Sequence, residues 1–154
     1  MMLVYLDASV WVKRYVIEEG SKRVRQWFRE GPVVATSPLA LIEVMSTLVR
    51  KERAGELDTE DMERSLDAAE ADFERFASVP LLSGVTNNAR LLSRRYGLRG
   101  ADTLHLAAAR WIVNQPVFGD DPIGLVTSDR ELAETAEQSG LAVFDPTRES
   151  LPRP

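Results

Sequence analysis

The feature that most constrains the fold of this chain is the alternation of short apolar runs with longer segments of helical periodicity. Runs with the length and composition of buried strands cover residues 3–6, 33–35, 125–127 and 141–144, with 79–82 as a candidate fifth. Between them, apolar residues recur every three or four positions, as at Met62, Leu66 and Ala69. This alternation predicts an α/β fold in three layers, with a central, mostly parallel sheet of four or five strands flanked by helices.

The periodic segments predict seven helices. They cover residues 10–17, 22–29, 38–54, 59–77, 85–96, 101–114 and 129–139. Ser21 is the expected N-cap of the second helix. The stretch 114–124 contains two Pro, two Gly and the pair Asp120-Asp121, which is typical of one long loop.

Length and composition favour an ordinary globular protein of the cytoplasm. The 154 residues can bury one core, so we expect a single domain over 1–146 and a loose C-terminal tail over 147–154. The absence of cysteine excludes disulfides and thiolate metal sites and favours a reducing compartment. No apolar run approaches the roughly 20 residues of a membrane span, and no signal peptide is recognisable.

The net charge of −5, with an isoelectric point near 5.0, argues against a protein that binds nucleic acid by electrostatics alone. It does not exclude an enzyme that acts on nucleic acid, because a bound metal cation reverses the sign of the local charge.

Acidic residues fall where an open parallel sheet places its ligands. Asp7 and Asp129 lie just past the ends of predicted strands, and ligands bind beyond the carboxyl ends of such strands. Each acid also has a structural interpretation. Asp7 and Asp129 are possible N-caps of the helices that follow them, and Asp102 is a possible first-turn acid.

Glu43 lies inside an apolar helical stretch, where it could belong to an exposed polar stripe with Thr47 and Arg50. Four independent structural roles explain the positions of these acids on separate segments less well than one shared site does. We therefore predict that Asp7, Glu43, Asp102 and Asp129 converge on one site. Mg²⁺ and Mn²⁺ prefer carboxylate oxygen and water, so such a site needs neither cysteine nor histidine.

The order and surroundings of these acids resemble the PIN-domain ribonucleases, and among them the VapC-like toxins of bacterial toxin–antitoxin pairs. The matching segments run in family order along nearly the whole chain. They are Leu6–Ser9, Ser37–Glu43, Gly100–Ala109 and Thr127–Leu132.

The resemblance implies that Asp7, Glu43, Asp102 and Asp129 bind one or two Mg²⁺ or Mn²⁺ ions, and that Ser9 and Thr127 are accessory polar residues. It also implies a cytoplasmic homodimer that cleaves RNA and is silenced by an antitoxin that occupies its active site. The acidic loop 114–124, which precedes the fourth acid, departs from the family pattern.

The remaining polar and aromatic candidates have less specific patterns. For His105, one helical turn from Asp102, a packed or hydrogen-bonded helix histidine is favoured over a general base. The three tryptophans lie in amphipathic helices and are expected in the core or a subunit interface rather than in base stacking: Trp11, Trp27 and Trp111. Several cations could guide an RNA backbone, although such residues usually mark a solvated face: Lys13, Arg14, Arg94, Arg95 and Arg99.

Two other functions use a similar layout. Haloacid-dehalogenase-like phosphatases need a second Asp two residues after the first, where this chain has Ser9, and receiver domains need a Lys near the last strand, whereas none follows Lys51. Both fit poorly. A non-catalytic RNA- or protein-binding module on the same fold remains the alternative.

Overall fold

The computed structural model describes residues 2–119 and 122–154, and at its centre lies a parallel sheet of five strands. Their order across the sheet is β3-β2-β1-β4-β5, so the first strand of the chain lies in the middle. The strands are β1 Leu3–Leu6, β2 Val33–Thr36, β3 Ala77–Ser78, β4 Ile123–Val126 and β5 Ala142–Phe144. The predicted α/β class and the mostly parallel sheet are confirmed.

Helices cover both faces of the sheet. They are α1 Ala8–Trp11, α2 Ser21–Arg29, α3 Pro38–Arg53, α4 Thr59–Arg75, α5 Ser83–Tyr96, α6 Gly100–Val113 and α7 Arg130–Gln138, with short 3-10 helices at Val12–Arg14 and Pro116–Phe118. Within the described residues, no helix has the length and hydropathy needed to cross a membrane.

Successive side chains of β1 point to opposite faces of the sheet, so the core consists of two clusters, one on each face. Val4 and Leu6 pack on one face of the sheet with residues of α1 to α4, whereas Leu3 and Tyr5 pack on the other face with residues of α5, α6 and α7. Trp11 and Trp27 are buried in the first cluster, as expected, and Trp111 packs against the second.

The fifth strand lies earlier than predicted. The expectation of a strand over 79–82 is wrong, because β3 is Ala77–Ser78. The amide of Val79 still donates to the carbonyl of Thr36 at 2.7 Å. Pro80 follows and has no amide hydrogen, so the ladder cannot continue.

The first two helices also differ from expectation. Residues 10–17 are not one helix, because α1 ends at Trp11 and the 3-10 helix that follows ends at Arg14. Gly20, with φ of +87°, and not Ser21, occupies the N-cap of α2. The Ser21 hydroxyl instead donates to the carbonyl of Val16 at 2.8 Å and accepts from the amide of Glu18.

The segment 114–124 is not the one long loop that was predicted. It contains the 3-10 helix Pro116–Phe118, and β4 begins at Ile123 because residues 123–124 pair with Leu3 and Val4 of β1. The Asp120-Asp121 pair lies outside the described residues. At Gly124 a Cβ atom would come within 2.7 Å of the Phe144 ring, so the close contact between β4 and β5 requires glycine there.

The C-terminal residues pack against the core, contrary to the expectation of a loose tail from 147. Leu151 is buried in the first cluster, and the indole of Trp27 donates to the carbonyl of Pro152 at 2.8 Å. An apolar side chain and a buried indole N–H thus both gain partners when this segment is ordered.

Candidate active site

Asp7 lies just beyond the carboxyl end of β1 and is only 4% exposed. Its Oδ2 accepts hydrogen bonds from Ser9 Oγ at 2.6 Å and from Thr127 Oγ1 at 2.8 Å. Although Asp7 occupies the N-cap position of α1, its side chain makes no capping hydrogen bond. The two hydroxyls therefore fix the carboxylate through Oδ2 and leave Oδ1 for other contacts.

Glu43 comes from α3 and contacts His105 of α6. Glu43 Oε1 bonds to His105 Nε2, and Asp7 Oδ1 lies 3.5 Å from the same nitrogen. The other ring nitrogen, Nδ1, lies 2.8 Å from the hydroxyl of Tyr5, which itself donates to Ser37 Oγ at 2.9 Å. An imidazolium, which donates from both nitrogens, satisfies these partners at once.

The charges around His105 favour that protonated form. Burial lowers the pKa of His105, but the hydrogen bond to Glu43 and the negative charges of Asp7, Glu43 and Asp102 outweigh it, so the pKa is raised. Burial also raises the pKa of the Tyr5 hydroxyl far above its usual value, so this group remains a neutral hydrogen-bonding partner.

Asp102 and Asp129 are joined by Arg99. Arg99 Nε lies 3.2 Å from Asp102 Oδ2, and Arg99 Nη2 lies 3.3 Å from Asp129 Oδ2. Burial and the charge of Asp129 raise the pKa of Asp102, while Arg99 opposes that rise. Asp129 also caps α7, since its Oδ1 accepts from the amide of Leu132 at 2.9 Å. Its second oxygen remains directed toward Arg99.

All four predicted acids line one open cavity of about 670 Å³. We call the side with Asp7, Glu43 and His105 the histidine wall, and the side with Asp102, Asp129 and Arg99 the arginine wall. On the histidine wall, one possible ligand atom from each of the three residues lies within 4.8 Å of the other two. Within the described residues, the structure does not bring Asp102 or Asp129 into that tight group.

The histidine wall has the chemistry of a cation site. In residues 2–119 and 122–154, His105 is the only ion-pair partner of the buried Asp7 carboxylate, and no Lys or Arg compensates it. One imidazolium is shared by the carboxylates of Asp7 and Glu43, so the wall keeps a net negative charge that a further cation would offset. Carboxylate oxygens are also the ligands that hard divalent cations prefer.

Two features of the site were not predicted from the sequence. His105 is a buried, hydrogen-bonded helix histidine, as favoured, but its contacts with Glu43 and Asp7 went unrecognised; its place one helical turn from Asp102 was the available signal. Arg99 was predicted only as a possible RNA contact, whereas it bridges two of the acids. Arg14 pairs with Asp72 instead of lining the cavity.

A family comparison matches residues 4–138 to the PIN domain. Over 147 residues the chain is 34% identical to two curated proteins of Mycobacterium tuberculosis, Ribonuclease VapC45 of strain CDC 1551 and Ribonuclease VapC49 of strain H37Rv. Each alignment covers 93% of this chain and 95% of the relative.

Solved structures share the fold at low sequence identity. FitAcB from Neisseria gonorrhoeae superposes with a TM-score of 0.65 at 17% identity, covering 95% of this chain and 99% of that one. VapC20 of M. tuberculosis, described as a toxin that cleaves the sarcin–ricin loop, gives 0.64 at 16% identity, with coverages of 90% and 96%. DNA-bound VapBC from Salmonella typhimurium gives 0.62 at 16% identity, with coverages of 95% and 99%.

Proposed function

The chain belongs to the PIN-domain family, and on that premise we propose that it is a divalent-metal-dependent endoribonuclease that hydrolyses phosphodiester bonds in RNA. The observation that carries the proposal is the buried Asp7 carboxylate, without a Lys or Arg partner among the described residues, in a cavity that Glu43, Asp102 and Asp129 also line. Carboxylates that surround an open cavity suit a metal ion and a phosphate group together.

In this proposal Asp7, Glu43, Asp102 and Asp129 hold Mg²⁺ or Mn²⁺, with Ser9 and Thr127 as accessory residues. A bound divalent ion would supply a water of lowered pKa and offset charge on the leaving oxygen. Ser9 and Thr127 hold Asp7 in one orientation, because both of their hydroxyls donate to its Oδ2. His105 orients Glu43, as outer hydrogen-bonding partners of metal ligands commonly do.

We further propose that the protein is the toxin of a toxin–antitoxin pair, active in the cytoplasm as a homodimer and inhibited by a cognate antitoxin protein. Support comes from the two relatives named Ribonuclease VapC at 34% identity and from the shared fold of solved toxin–antitoxin complexes. Expression of the chain without an antitoxin should then arrest bacterial growth, and the Asp7→Ala variant should not.

The decisive experiment is cleavage of a mixed RNA pool by the purified chain with Mg²⁺ or Mn²⁺, beside an EDTA control. Asp7→Ala should abolish cutting, whereas Asp67→Ala, the same change at an exposed acid of α4, should leave it intact. Circular dichroism should show that both variants are folded. If folded wild-type protein leaves the pool uncut with every metal tried, the nuclease proposal fails and the binding-module alternative gains support.

A further inference from the structure

Basic side chains line the same cavity as the acids. Three of its lining residues are Lys13, Arg50 and Lys51, and we call this set the basic end. Lys13 follows Ser9 by four residues, so both lie on one side of the segment that begins at Asp7. Arg50 and Lys51 follow Glu43 by seven and eight residues on α3 and share its face. The basic end thus continues directly from the histidine wall.

Arg50 has no acidic partner in the part of the chain that the structure describes. Among residues 2–119 and 122–154, its exposed guanidinium donates only to Thr47 Oγ1, at 2.9 Å. A planar guanidinium with unused N–H donors is well suited to a phosphate group. Lys51 lies about 12 Å along the helix axis from Glu43, given a rise of about 1.5 Å per residue. Arg50 and Lys51 thus lie farther along α3 than Glu43, toward the C-terminal end of the helix.

Glu18 holds the two lysines of the basic end in place. Lys13 Nζ lies 3.0 Å from Glu18 Oε1, and Lys51 Nζ lies 3.7 Å from Glu18 Oε2. The hydrogen bond to Glu56 raises the pKa of Lys51 and outweighs the effect of burial, so its ammonium group stays charged. Lys13 is only 7% exposed, which is unusual for a lysine that serves solubility alone.

We propose that Arg50 and Lys51, with Lys13 beside them, form a phosphate subsite that binds the RNA backbone next to the cleaved bond. The RNA strand then runs from the acids along α3. This inference rests on the proposed ribonuclease function, because it places the cut at the acidic end of the cavity. A basic final turn also stabilises any helix through its dipole, but that effect is shared by Arg53, which does not line the cavity.

Arg50 and Arg53 therefore provide a matched test. Both are exposed, both lie in the last turn of α3, and neither forms an ion pair within residues 2–119 and 122–154. The probe is a fluorescent single-stranded RNA, titrated with the full chain by anisotropy in Ca²⁺ at several salt concentrations, with gels to confirm that the RNA is intact. Arg50→Gln should weaken binding several-fold and reduce the salt slope by about 0.7 for the lost phosphate contact. Arg53→Gln should change neither.

Lys51→Gln should act in the same direction as Arg50→Gln, which provides a second variant at the same subsite while the buried Lys13 keeps its own ion pair with Glu18. If wild-type protein cuts RNA but Arg50→Gln and Arg53→Gln bind with equal affinity and slope, the subsite is refuted while the nuclease function stands. If no metal supports cutting and Arg50→Gln still selectively weakens RNA binding, the phosphate contact stands as part of an RNA-binding module and the nuclease function is refuted. Absence of RNA binding by the wild type refutes the subsite.

Discussion

The two walls of the acidic cavity compensate their carboxylates by different means. On the histidine wall, His105 is fully buried, and a chain of hydrogen bonds through Tyr5 and Ser37 holds it. On the arginine wall, the side chain of Arg99 is 73% exposed and bridges Asp102 and Asp129 at 3.2–3.3 Å. Exposed ion pairs contribute little, so Arg99 can leave its partners at small cost. The histidine wall is preformed, and the arginine wall can adjust to a ligand.

The largest expected effect comes from exchanging one acid on each wall. Asp7→Asn should reduce RNA cleavage by more than about 100-fold. This loss exceeds the roughly 10- to 100-fold loss that is typical when a residue hydrogen-bonded to a metal ligand is changed. Asp129→Asn should lower the cleavage rate less, because within the described residues Asp129 does not belong to the tight group of Asp7, Glu43 and His105. Asn also retains the cap of α7. Initial rates at saturating Mn²⁺ compare the two. Equal losses of cleavage rate in the two variants would show that the two walls contribute equally to catalysis, contrary to the expectation that the histidine wall contributes more.

His105→Gln tests whether the histidine wall is built for a metal. Removal of the partner that orients Glu43 should weaken Mn²⁺ binding by about 10- to 100-fold. Isothermal titration calorimetry of the apo protein provides the measurement. Arg95→Gln, at an exposed residue of α5 outside the cavity, is the control. An unchanged Mn²⁺ affinity in a folded His105→Gln variant would assign His105 to stability alone.

Tyr5→Phe tests the rigidity of the same wall. The change leaves His105 Nδ1 and Ser37 Oγ without their shared partner. We expect the free energy of unfolding to fall by about 1–3 kcal/mol, measured by urea denaturation. Tyr96→Phe removes a hydroxyl that makes no hydrogen bond within the described residues and should have little effect. Similar values for the two variants would show that the Tyr5 hydroxyl does not support the wall.

The smallest expected effect concerns Arg99. Its positive charge favours the ionised form of Asp102, so Arg99→Gln should raise the pKa of Asp102 further. Because metal binding needs the carboxylate, the acidic limb of the pH–activity profile should move to higher pH, with little change in rate at alkaline pH. Arg95→Gln again serves as control. If the acidic limb of the pH–activity profile does not move in Arg99→Gln, Arg99 no longer contacts Asp102 when metal is bound.

The sequence predicted the sheet and the acids because each depends on local pattern. Short β-rich runs mark the strands, and an acid after a strand falls at the ligand-binding edge whatever the distant contacts are. The short strand Ala77–Ser78 was misplaced, since two exposed residues carry no periodicity. The packing of Leu151 was missed for a related reason, because one apolar residue in a polar, proline-containing tail gives no pattern.

The arrangement within the site could not be predicted in the same way. The bond between Tyr5 and His105 joins residues 100 positions apart, and the spacing of residues along the chain does not specify which side chains will meet. Likewise, the pattern that marks Arg99 as a surface cation does not reveal that it reaches Asp129 on another segment.

The central position of β1 also determines when the site can form during protein synthesis. Asp7 leaves the ribosome well before Thr127, but β1 lies between β2 and β4, and its pairing with β4 joins Leu3 to Ile123. Until that late segment is translated, one edge of β1 has no partner, and Thr127 cannot donate to Asp7. Nascent chains that stop before Thr127 therefore lack the assembled site, and the site can assemble only after β4 and Thr127 have left the ribosome.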